Sequence, residues 1–172
     1  KNGNERYRTN PKLIDWSETN KFFKFMNMND FKLHGHTIVW HNTVPQQIKD
    51  LSKSDLPAEI KKKMAQDFLY GYMQSFCQNV IDNEIEMESI DILNEIANDE
   101  QGEDFLRQSS WRELMGDTYY IDVLKMAKQI FPPEVKLMYN DFNEFIPEKR
   151  KNILKIIENI KKAENEEGIQ LL

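Results

Sequence analysis

The sequence predicts an α/β fold in which a parallel sheet is covered by helices, and three observations carry that expectation. Apolar residues recur at helical spacing in four stretches and at strand spacing in three, and the two kinds alternate along the chain. Parallel strands need helix-length crossovers, which this alternation supplies. Each candidate strand also ends, but does not begin, in a polar cluster, and parallel α/β folds bind ligands at the carboxyl ends of their strands. At 172 residues the chain can bury one sizeable core, so a single domain is expected; it shows no internal repeat or low-complexity segment.

Residues 1–12 are polar and read as an irregular arm. Trp16, Phe22, Phe23, Phe25 and Met26 then mark a helix, with Ser17 as its N-cap and an end near Asn29-Asp30. The period changes at Phe31, and Thr37-Ile38-Val39-Trp40 reads as the first strand, followed by a loop from His41 to Pro45. Asp55 can cap the longest helix, with Pro57 in its first turn, since Ile60, Met64, Phe68, Tyr72 and Phe76 recur at helical spacing through Val80. An acidic connection (Asn83, Glu84, Glu86, Glu88) leads to the second strand, whose apolar run Ile90-Asp91-Ile92-Leu93 stops abruptly at Asn94-Glu95. After a polar loop over 98–110, Tyr120, Val123, Leu124, Ala127 and Ile130 form a helical stripe that Pro132-Pro133 must stop. Val135 to Tyr139 is the third strand, ending in Asn140-Asp141-Phe142-Asn143. Pro147 opens a last helix with Ile153, Ile156, Ile157 and Ile160 on one face and lysines on the other.

Composition removes several classes of function. With 40% hydrophobic and 30% charged residues the chain is too apolar to be disordered. A formal net charge of -6 and a pI of about 5.2 argue against a nucleic-acid partner, which calls for a basic stripe. No apolar run approaches the ~20 residues that cross a bilayer, and Lys1 to Thr9 hold no signal-like apolar core, so no membrane partner is expected. Cys77 is the only cysteine, which excludes an internal disulfide; lying on a helix without an evident His partner, it is a poor nucleophile candidate. Lys61-Lys62-Lys63 and Lys161-Lys162 read as solvated faces, and the Phe- and Met-rich helices as packing surface.

The three strand ends, His41-Asn42-Thr43, Asn94-Glu95 and Asn140-Asp141, should converge on one site. Glu95 is its candidate acid, a carboxylate at the end of a buried strand; the plainer alternative is a helix cap or a lysine partner. Asp91 shares the strand parity of Glu95 and can sit beneath it. His34 and His36 also share a face, which invites a metal reading, but His41 has the opposite parity and no nearby cysteine or Asp cluster completes a ligand set. No metal and no cofactor are therefore expected, and the histidines read as one packed and one hydrogen-bonded. Trp40 and Trp111 could stack on sugar rings, although an apolar strand Trp is more often core.

Four blocks in order carry a resemblance: Gly35-His36-Thr37-Ile38-Val39-Trp40-His41, Asp91-Ile92-Leu93-Asn94-Glu95, Arg107-Gln108-Ser109-Ser110-Trp111 with Gly116, and Leu137-Met138-Tyr139-Asn140-Asp141-Phe142-Asn143. Together they resemble glycoside hydrolase family 10, the retaining endo-1,4-β-xylanases built on a (β/α)8 TIM barrel. The resemblance implies that Glu95 is the general acid/base and that Asn94 contacts the sugar's 2-hydroxyl. It further implies that His41 touches the sugar on the glycone side of the cleaved bond, that Asn140 and Asn143 border the leaving-group side, and that Asp91 is a supporting carboxylate behind the site. The implied partner is xylan or a xylo-oligosaccharide, and a polymeric substrate implies a secreted protein.

The resemblance covers only about strand three to helix five, so residues 1–172 are expected to be about half of a barrel, without strands one, two and six to eight. A full barrel takes ~250 residues, which agrees. The retaining mechanism needs a second carboxylate, on strand seven in the family, and this segment does not supply it. The strand-two Lys and Asn and the strand-six Gln and His are missing too. The remainder of the barrel is expected from the same or another chain, and the half alone is expected to be inactive; a non-catalytic carbohydrate-binding or assembly half-barrel is the rival expectation. Within the matched blocks Ile90 replaces a usual Trp, Gln46-Gln47 stand where a Trp commonly follows the Pro, and Asn98-Asp99-Glu100 is unusually acidic.

Overall fold

The computed structural model describes residues 14–100 and 102–172; the polar arm expected over 1–12 lies outside them. The order is α1 (Ser17–Met28), β1 (Leu33–Trp40), α2 (Gln46–Ser52), α3 (Ala58–Asp82), β2 (Met87–Asn94), α4 (Ser110–Met115), α5 (Tyr119–Ile130), β3 (Lys136–Asn140) and α6 (Pro147–Glu167). The three strands pair in parallel in the order β1-β2-β3. The expected α/β alternation is present, with two short helices added.

β2 is central and carries the longest apolar run, and Ile90, Ile92 and Leu93 are all buried between its neighbours and the helices. A strand paired on both sides and covered by crossovers has no solvent face, which is why β2 reads as a continuous run rather than an alternation. The 25-residue α3 packs on α2, α4 and α5 through Met64, Ala65, Phe68, Leu69 and Met73. Met138, Phe145 and Leu154 remain exposed.

Several boundaries differ from expectation, each for a local reason. Ser17 is not the N-cap of α1: Trp16 occupies that position, and Asp15 Oδ1 accepts from the Ser17 N–H at 2.9 Å. Asp55 does not cap α3 either, since Pro57 stands at its N-cap with the extended ψ of 143°. β1 begins at Leu33, four residues before the β-branched stretch that marked it, because pairing with Met87 to Asp91 overrides the weak local signal of His34-Gly35-His36. The helices α2 and α4 lie where the sequence predicts no helix; at seven and six residues they are too short for a helical period to show. Of the α1 aromatics only Phe23 is buried, whereas Phe22 and Phe25 stay about half exposed, so that helix is not packing surface throughout.

Gly35 is required by packing. It lies opposite Ile90 in the ladder, and a Cβ there would meet Ile90 Cγ1 and Cδ1 at 2.9 Å. Ile90 is buried and would have to shift, so Gly35→Ala should destabilise the folded protein by about 1–3 kcal/mol. Chemical denaturation should show a lower midpoint at unchanged slope; an unchanged midpoint would mean that β1 and β2 can slide apart freely.

Candidate active site

The ladder places Trp40 beside Asn94, and Asn94 beside Asn140, at the carboxyl ends of the three strands. Asn140 Nδ2 donates to Asn94 Oδ1 at 2.7 Å. Glu95 is the next residue, and it lies just beyond β2 rather than inside it, at φ 53°. The left-handed conformation is sparsely populated for a non-glycine residue, so surrounding bonds must fix it. They do: Glu95 N donates to the Asn140 carbonyl, and Arg107 Nε donates to the Glu95 carbonyl, both at 2.9 Å. The strand parity expected to stack Glu95 over Asp91 ends at this turn.

The Glu95 carboxylate is half-buried, and its Oε2 accepts from Trp40 Nε1 at 2.9 Å. Among the described residues it caps no helix and pairs with no lysine, the two plainer readings. Trp40 is not core in the ordinary sense, because its indole N–H is committed to the candidate acid; Trp111 is the buried one, donating from Nε1 to the Trp40 carbonyl at 3.2 Å.

Two buried polar atoms beside this carboxylate have no partner among the described residues, Asn94 Nδ2 and His41 Nδ1. Burial, with the Arg107 charge second, lowers the His41 pKa below the usual imidazole value, against the opposing pull of Glu95 and Asp99. His41 is thus held neutral near pH 7, with one ring nitrogen able to donate and the other to accept. Asn143 lies past β3 at φ 58°, where its carbonyl accepts from Ile146 N in the turn that leads into α6. Among the described residues its side chain makes no hydrogen bond to Glu95, Asn94, Asn140 or Trp40.

Asp91 is buried and shared by two histidines. His36 Nδ1 lies 2.8 Å and His34 Nε2 3.2 Å from the same Oδ2, and His34 Nδ1 is 2.8 Å from Ser89 Oγ. Both rings are hydrogen-bonded and about half exposed, which corrects the expectation that one of them is packed.

A group of four charges beneath Glu95 was not anticipated. Lys149 has a side chain only 1% exposed, and its Nζ donates to Ala97 O at 2.7 Å, to Asp99 Oδ1 at 2.8 Å and to Asp141 Oδ1 at 2.8 Å. Arg107 pairs with Asp99 as well as with the Glu95 carbonyl. Asp141 Oδ2 accepts from Ala97 N at 3.1 Å and from the Tyr139 hydroxyl. Burial pushes the Asp99 carboxyl up, but the bonds from Lys149 and Arg107 outweigh it and hold the group below the usual carboxylate range. This accounts for Asp99 in the acidic stretch after Glu95; Lys161 and Lys162 are exposed, as the solvated-face reading expects, and Lys149 is the one buried lysine of α6. A signal was present: Lys149 is in the first turn of its helix, where the dipole disfavours a cation.

A parallel sheet of three strands with helical crossovers, carrying a carboxylic acid and amides at its strand ends, is a segment of a (β/α)8 barrel. The chain belongs to glycosyl hydrolase family 10, whose family model matches residues 4–169. It is 31% identical over 150 residues to endo-1,4-beta-xylanase A of Thermotoga maritima, covering 87% of this chain and 13% of that protein. To endo-1,4-beta-xylanase A of Caldicellulosiruptor saccharolyticus it is 30% identical over 146 residues, covering 85% and 40%. The solved structure of CbXyn10B superposes with a TM-score of 0.75 at 27% identity, covering 92% of this chain and 46% of that one. A mutant solved in complex with xylotriose gives 0.74 at 26%, covering 92% and 46%. The chain thus spans less than half the length of these relatives.

Proposed function

We propose that the protein is an endo-1,4-β-xylanase that cleaves xylan with retention of configuration, and that this chain carries the acid/base half of its site. One observation carries the reading: the carboxylic acid of Glu95 sits beside two buried polar atoms, Asn94 Nδ2 and His41 Nδ1, that the described residues leave unpaired. Each such atom costs roughly 1–3 kcal/mol, a cost that a hydroxyl-bearing ligand removes on binding. The xylanase names of the relatives and the xylotriose bound to one of them supply the sugar class.

In the first step a second carboxylate, ~5–5.5 Å from Glu95, attacks the anomeric carbon while Glu95 protonates the departing oxygen and the glycosidic bond breaks. In the second, Glu95 takes a proton from water as that water displaces the enzyme carboxylate. The attacking carboxylate is supplied from outside residues 1–172. Asn94 donates to the 2-hydroxyl and His41 meets the same sugar, with Asn140 and Asn143 toward the leaving group.

Proton NMR of xylo-oligosaccharide hydrolysis by the complete protein tests the reading: the β-anomer should appear first. Early α-anomer would mean inversion, and no turnover at all would favour the carbohydrate-binding half-barrel.

A further inference from the structure

The charged group beneath Glu95 converges on the backbone that aims it. Four successive carbonyls after β2 accept from elsewhere in the chain: Glu95 O from Arg107 Nε, Ile96 O from Arg107 N, Ala97 O from Lys149 Nζ and Asn98 O from Asn152 Nδ2. Lys149 uses all three of its ammonium donors on Ala97 O, Asp99 and Asp141, while Asp141 in turn holds Ala97 N. Arg107 closes the ring by joining Asp99 to the Glu95 carbonyl.

Such an arrangement is poorly explained by stability. A buried ammonium loses several kcal/mol of hydration, and exchanging buried ion pairs for apolar side chains of similar volume is often neutral or stabilising. Lys149 also sits against the dipole of α6. What the group does secure is the left-handed turn at Glu95, a conformation that persists only where its surroundings over-determine it.

We propose that Lys149 is a positioning residue for Glu95, fixing through Ala97, Asp141 and the Asp99–Arg107 pair the turn from which the acid reaches the leaving oxygen. This rests on the reading of Glu95 as the proton donor. An acid displaced by about 1 Å can lose roughly 10²-fold in rate, and only on substrates whose departure needs a proton.

The test is Lys149→Met in the complete enzyme, on two substrates. On xylan kcat should fall roughly 10²-fold with KM within about two-fold. The pre-steady-state burst of dinitrophenolate from a dinitrophenyl xylobioside, which leaves unprotonated, should stay within about two-fold. If Lys149→Met does not fold, Asp99→Asn loosens the same ring at a more exposed partner and should split the two substrates in the same direction, by roughly 10-fold. Equal loss on both substrates, or none on xylan, would overturn the positioning role. Glu95→Gln is measured in parallel. If it loses xylan cleavage and Lys149→Met does not, positioning alone fails; if it retains xylan cleavage, the acid assignment fails and the positioning role with it.

Discussion

Glu95→Ala in the complete protein should lower the rate of xylan cleavage by roughly 10²–10⁴-fold, the range that a general acid contributes. A xylosyl leaving group departs as an alkoxide of high pKa unless protonated, so its loss tracks the donor directly. Dinitrophenolate departs without help, and the first, glycosylation step on such a substrate should survive the substitution. The second step should not, because Glu95 then acts as the base that activates water. Burst kinetics separate the two: a full burst followed by slow steady-state release is expected. A burst lost in proportion to xylan cleavage would remove the acid role. Stability should change little, since truncation leaves only the indole N–H of the half-buried Trp40 to find water.

The alternation of helix and strand was legible because β2 and α3 are long and their periods unmixed, and the strand-end clusters were legible because polar side chains interrupt apolar runs. Glu95, Asn94 and Asn140 could be placed near one another by that logic alone. Trp40 could not, since an aromatic residue on a strand gives no sign of where its N–H points. Nor could the sharing of Asp91 by His34 and His36, which depends on a register with irregularities after Leu33 and after His36. Lys149 was hidden for another reason. It lies 54 residues from Glu95 in the chain, and only the crossover through α4, α5 and β3 brings α6 under the end of β2.

Asn94→Ala should reduce kcat/KM on xylo-oligosaccharides by roughly 10²–10³-fold, because hydrogen bonds to the 2-hydroxyl strengthen in the transition state and supply several kcal/mol. The effect on stability is expected to differ from that of most buried polar truncations. Among the described residues Asn94 Nδ2 is buried without a partner, so removing it removes a cost instead of a bond. What is lost is the bond from Asn140 Nδ2 to Asn94 Oδ1, and Asn140 is exposed enough for water to replace it. The melting temperature should therefore hold or rise while activity falls, as at a site where binding groups are kept unpaired until substrate arrives. A 2-deoxy substrate gives the control: it has no hydroxyl for Asn94 to meet, so wild type and Asn94→Ala should cleave it at similar rates. If the variant loses as much on the deoxy sugar as on the natural one, Asn94 acts on the fold of the strand end and not on the sugar.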